Sequence, residues 1–113
     1  MEGELTRDFS DGVRLSIFLN QNDHIGHVRA AEAILKKALA LGLQGGSSFR
    51  AIEGFGQTHH LERGHILSLD DDRGEMIVIV HVDDEKIDEL LDWLEEHLKG
   101  VLVCKTQASF YRT

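Results

Sequence analysis

The sequence predicts an α+β fold of the split βαβ kind, in which a βαββαβ order gives an antiparallel sheet with two helices on one face. Three observations carry that expectation. Val13, Leu15, Ile17 and Leu19 alternate with Arg14, Ser16, Phe18 and Asn20, the period of a strand with one side on a core. Two stretches, 25–41 and 87–98, repeat apolar residues at steps of three and four, which marks one stripe of a helix. Between them Met76-Ile77-Val78-Ile79-Val80 is an unbroken apolar run, expected of a central strand covered on both faces.

Taken in order, residues 1–12 are polar and unpatterned and form an N-terminal arm, on which Leu5 and Phe9 are the residues able to dock. The strand of 13–20 follows. Asn22 and Asp23 are expected to cap the first helix, because their side-chain oxygens accept from unpaired first-turn amides. Ile25, Val28, Ala31, Leu35, Ala38 and Leu41 form its buried stripe. Lys36 and Lys37 lie toward the end where the helix dipole favours cations, and Gly42 supplies the left-handed stop. Gly45-Gly46 breaks the chain before a second strand over 47–53. Gly54-Phe55-Gly56, a polar stretch over 57–64, a short strand over 65–69 and an acidic turn over 70–74 lead to the apolar run. Asp83 or Asp84 caps the second helix, which carries Ile87, Leu90, Leu91, Leu94 and Leu98 in one arc with Trp93 at its flank. Gly100 ends it, Val101 to Cys104 begin the last strand, and a further strand is expected over 107–111. Residues 13–113 thus read as one ferredoxin-like domain.

A chain of 113 residues buries enough surface to fold without staples. Its single cysteine excludes an internal disulfide framework and a cysteine-rich zinc module, and fits a reducing compartment. A net charge of −8 argues against nucleic acid as a partner, since counterion displacement needs a basic stripe. No apolar run approaches the ~20 residues that span a bilayer, and Met1-Glu2-Gly3-Glu4 is unlike a secretory leader. The expected location is the cytoplasm.

Glycine concentrates in Gly42-Leu43-Gln44-Gly45-Gly46-Ser47 and again in Gly54-Phe55-Gly56. Glycine lets backbone approach a ligand and lets consecutive amides converge on one anion, although turns and a helix cap account for the same residues. The two clusters flank one strand, so a small ligand could touch both only across a subunit boundary. Seven histidines raise a second possibility, a metal or ion-homeostasis protein. His59, His60 and His65 flank the polar loop, and His24 and His27 lie at the expected start of the first helix. No cysteine or third helical ligand completes either set, so solvated histidines are the simpler reading. His81, in the apolar strand, reads as a hydrogen-bonded interior residue, and Cys104 as a buried structural thiol. Asp70 to Asp72 lack the spacing of a calcium loop, and no motif joins serine, histidine and aspartate into a catalytic set. No enzyme is expected.

Gly42-Leu43-Gln44-Gly45-Gly46-Ser47, the run Glu53-Gly54-Phe55-Gly56-Gln57 and Glu62-Arg63-Gly64-His65 together resemble the helix end, second strand and loop base of nitrogen-regulatory PII signalling proteins. The match is closer to the PII-like family catalogued as domain of unknown function 190, and it extends over roughly residues 13 to 104. The resemblance implies a homotrimer with clefts between subunits that take an adenine nucleotide as regulatory ligand, with no cofactor required. Carried over, Gly45, Gly46 and Ser47 would meet base and ribose, and Gly54, Phe55, Gly56 and Gln57 would form the loop base near the phosphates. The loop 57–64 would report occupancy to a protein partner. PII proteins carry a glycine- and lysine-bearing phosphate loop before the last strand, where this chain has only Lys99-Gly100, so AMP or ADP is favoured over ATP. Arg112-Thr113 resembles the arginine-bearing PII tail.

Overall fold

The computed structural model describes residues 7–52, 74–82 and 84–113, and their element order follows the alternating patterns of the sequence. Strand β1 (Ser10–Asn20) leads to a small ribbon of β2 (His24–Ile25) and β3 (Val28–Arg29), then helix α1 (Ala30–Leu41). Strands β4 (Gly45–Arg50) and β5 (Gly74–His81) precede α2 (Asp84–His97) and the final strand β6 (Leu102–Phe110). The four long strands form one sheet in the order β4-β5-β1-β6 with every neighbour antiparallel, the ferredoxin-like arrangement.

The core follows from strand parity. Val13, Leu15, Ile17 and Leu19 of β1 and Ile77 and Ile79 of β5 are buried on one face, against Ala30, Ala31, Ile34 and Ala38 of α1 and Ile87, Leu90 and Leu94 of α2. Fully burying one such leucine or isoleucine contributes about 1.5–3 kcal/mol. Strand β5 is interior, yet it is not sealed on both sides. Glu75, Ile77, Ile79 and His81 are buried, while Met76, Val78 and Val80 remain half-buried on the face without helices.

Several expectations are corrected. Helix α1 starts at Ala30, and neither Asn22 nor Asp23 caps it; the residue before it, Arg29, makes no side-chain cap bond. Asp23 instead closes a turn, its Oδ2 accepting from the Asn20 amide at 3.0 Å and its carbonyl from the Ala30 amide at 2.7 Å. No basic residue stands in the last turn of α1; Lys36 pairs with Glu32 one turn back at 3.1 Å. The left-handed stop does fall at Gly42, with φ 84°. The two short strands expected at the C-terminus are one ladder, paired with β1 from Ser10↔Phe110 to Phe18↔Leu102. Strand β1 therefore begins inside the stretch expected as an arm. Cys104 is exposed, because it lies opposite Ser16 on the helix-free face of an edge strand. The strand expected over 65–69 lies outside the described residues.

Candidate functional site

At the end of the sheet where β1 starts and β5 and β6 finish, the chain forms a cleft of about 330 Å3. Asp8 and Ser10 enter from the N-terminal side, Gln44 from the turn between α1 and β4, Val80, His81 and Val82 from the end of β5, and Phe110, Tyr111 and Arg112 from the C-terminus. Strand pairing explains the convergence. Val13 stands opposite His81 and Ser10 opposite Phe110, so four chain segments separated in sequence end together.

The cleft is braced on both sides. Gln44 is held twice to the end of β5: its amide donates to His81 Nδ1 at 3.1 Å, and its Oε1 accepts from the Val82 amide at 3.0 Å. On the terminal side, Arg7 Nε donates to the Tyr111 hydroxyl at 2.8 Å, and its guanidinium stands 5.6 Å from the Tyr111 ring centroid. Phe9 packs on the same ring at 4.9 Å, so this arm residue does dock. Gly12 is required where the segments cross. A Cβ there would stand 2.6 Å from the His81 carbonyl oxygen and 2.7 Å from Phe110 Cε2.

Of the residues singled out in the sequence, Gly45, Gly46 and Ser47 begin β4 directly after Gln44, beside this cleft. Gly45 lies opposite Val80 in the ladder. Gly46 faces the helix layer, where a Cβ would stand 3.0 Å from Leu35 Cδ2 and from Ile79 Cδ1, so helix packing alone accounts for a glycine there. Ser47 is exposed on the opposite face. Gly54, Phe55, Gly56 and Gln57 lie outside the described residues, as do His59, His60 and His65. His24 and His27 belong to the β2–β3 ribbon and its turn rather than to a helix, and His24 Nδ1 donates to the Asn22 carbonyl at 2.7 Å. Among the described residues no group of three or more His, Cys, Asp or Glu side chains could hold a metal ion. His81 is the hydrogen-bonded interior residue expected, 7% exposed.

Sequence reasoning missed Gly12, Gln44, Tyr111 and Asp8 as parts of one site. The available signal was slight: aromatic residues near both termini and a glycine just before an alternating strand.

The cleft offers one guanidinium, one carboxylate, two hydroxyls, an imidazole and an amide beside aromatic and aliphatic surface. That mixture suits a small ligand with an apolar ring and limited negative charge. Among the described residues no helix is long and apolar enough to cross a membrane.

The family model of DUF190, described as Uncharacterized ACR, matches residues 12–109, and the chain belongs to that family. No curated protein matches. Among solved structures, the chain is similar to a protein described as a PII-like signalling protein of Thermus thermophilus, with 16% identity, a TM-score of 0.67 and 93% of this chain covering 94% of that one. It is also similar to the apo form of CPII, a nitrogen-regulatory PII-like protein of Thiomonas intermedia, with 17% identity, a TM-score of 0.59 and coverage of 94% and 98%. CPII bound to ADP and bicarbonate matches at 20% identity and a TM-score of 0.63, with 95% of each chain covered. These likenesses establish a PII-like fold.

Proposed function

With membership of that family as premise, we propose that the protein is a PII-like regulator that binds an adenine nucleotide, AMP or ADP in preference to ATP, in clefts between the subunits of a homotrimer. The observation that carries this reading is the convergence of the Gln44 turn, the end of β5 and the Arg112 tail on one open cleft. On this reading Gly45, Gly46 and Ser47, which follow Gln44 in β4, would meet base and ribose, and Gly54, Phe55, Gly56 and Gln57 of the adjacent protomer would stand on the phosphate side. That CPII binds ADP supports the ligand class. One arginine in the cleft fits one or two phosphates better than three, since Asp8 repels added negative charge.

The helix-free face of the sheet supports the trimer reading. Phe49, Met76, Phe18 and Leu102 lie in register across all four strands on the side without helices, with Phe49 53% and Leu102 61% exposed. An apolar row of that kind is expected to be covered by another copy. The loop 57–64 is the output: it differs between the empty and occupied states and engages a cytoplasmic protein partner. A ligand shifts that loop only through its different affinity for the two states.

Isothermal titration with AMP, ADP and ATP tests the ligand. Saturable heat is expected from AMP or ADP at submillimolar concentration, with ATP weaker. Silence from all three at millimolar ligand would remove the nucleotide reading. Trypsin cleavage after Arg63 should change rate on saturation, and identical cutting in both states would remove the loop as output.

A further inference from the structure

We infer that Arg7 is a positioning residue for the cleft: with Phe9 it latches Tyr111 and so holds the C-terminal tail, Arg112 included, against the segment leading into β1. The effect on affinity rests on the nucleotide reading, while the latch itself rests on contacts within this chain. Strand pairing stops where the cleft begins. The ladder between β1 and β6 ends at Ser10↔Phe110, so its backbone hydrogen bonds do not reach Tyr111 and Arg112. Side chains take over there. Arg7 Nε donates to the Tyr111 hydroxyl at 2.8 Å, its guanidinium stands 5.6 Å from the ring centroid, and the Phe9 ring tilts onto the same ring at 4.9 Å.

Parity separates the latch from the lining. Arg7 and Phe9 turn to Tyr111, whereas Asp8 and Ser10 line the cleft, the alternation of an extended chain. Arg7 lies outside the lining and Tyr111 within it, so any influence of Arg7 on a ligand beyond its bare charge passes through Tyr111. Tyr111 is 39% and Phe9 54% exposed, and single contacts between exposed groups are weak. Three of them on one ring nevertheless restrict a tail that strand pairing leaves free to sample other positions. With the latch closed, the Arg112 guanidinium is already presented to the cleft, and an anionic ligand need not order it. With the latch open the same ligand must order the tail as it binds, and affinity falls.

The test begins without ligand, by proton NMR of the full chain. Overhauser contacts between the Phe9 and Tyr111 rings should be present in wild type and weaker in Arg7→Ala, and their absence from wild type overturns the latch. The second arm measures AMP and ADP affinity in wild type, Arg7→Ala, Arg7→Lys, Tyr111→Phe and the double variant Arg7→Ala, Tyr111→Phe. Each single substitution should raise the dissociation constant about three- to tenfold, the size of one lost hydrogen bond. The double variant should bind no more weakly than Arg7→Ala, because the hydroxyl has already lost its partner. Lysine keeps the charge without the planar fork, so wild-type affinity in Arg7→Lys would reduce the role to charge and overturn the inference. Wild-type affinity in Arg7→Ala overturns it, as do losses that multiply in the double variant. Thermal midpoints should stay within about three degrees of wild type, as expected for exposed positions, and a larger drop that tracks the lost affinity would make Arg7 a stability residue instead. Silence from both nucleotides in wild type overturns the ligand reading and the positioning role with it, and the ring contacts alone then decide whether the latch exists.

Discussion

Glu75 is a carboxylate with 2% of its side chain exposed, on the face of β5 that also carries Ile77, Ile79 and His81. Its burial is tolerated because both oxygens are used: Oε1 accepts from Arg29 Nη2 at 2.6 Å, Oε2 from the Ser48 hydroxyl at 3.0 Å, and Arg50 Nε stands 3.9 Å from Oε2. The group ties the residue before α1 to the far end of β4. Replacing the charge alone, as in Glu75→Gln, leaves Arg29 without its ionic partner. The expected loss is about 1–3 kcal/mol, reduced from a fully buried pair because Arg29 is 35% exposed, and read as a lower urea midpoint with unchanged slope. A midpoint equal to wild type would show that the network is dispensable. Nothing in the sequence marked Glu75, since a glutamate before an apolar run reads equally well as the last residue of a turn. His81 was legible as an interior histidine because it continues that run, but its partner was not, since Gln44 belongs to a turn.

At the scale of elements, periodicity identified β1 and both helices and an unbroken apolar run identified β5, while β6 read as two strands; periodicity failed where two patterns coincide. Ile25 and Val28 were counted into a helical stripe by their separation of three. They are in fact cross-strand partners in the β2–β3 ribbon, where a two-residue turn at Gly26 and His27 also separates a facing pair by three positions. Ile25 packs against the core and Val28 is half-buried, so apolar spacing alone does not distinguish ribbon from helix here. The end of α1 was legible because its signal is conformational rather than periodic. Gly42 adopts φ 84°, and its amide bonds the carbonyls of Ala38 and Leu39. Gly42→Ala should cost about 1 kcal/mol through the left-handed backbone, since no heavy atom crowds a Cβ there. A thermal midpoint lowered by several degrees with unchanged helix content is the expected result, and no change would mean that the cap relaxes to another conformation. The cleft escaped prediction for a different reason. Its walls come from positions 8, 10, 44, 80–82 and 110–112, and only the strand order brings them together.

For the whole molecule the decisive surface is the helix-free side of the sheet. In the protomer, Phe49 and Leu102 sit on the two outer strands and complete an apolar row with Met76 and Phe18. An acidic chain that left this row in water would expose both a greasy patch and two strand edges. In the proposed trimer, packing three copies through it would remove apolar area and set the Gln44 turn of one subunit beside its neighbour, giving assembly and ligand binding one cause. Light scattering on the purified protein should give about 38 kDa, three protomers of 12.7 kDa. The double variant Phe49→Asp, Leu102→Asp changes only positions exposed in the protomer, so its far-ultraviolet circular dichroism should match wild type. Its mass should fall to that of one chain, because each interface would then place like charges in apolar surroundings. Nucleotide heat should vanish in the same variant, although neither substitution touches the cleft of its own subunit. A variant that remains trimeric would move the interface elsewhere, and a monomeric variant that still binds AMP or ADP with wild-type affinity would show that one protomer holds the whole site.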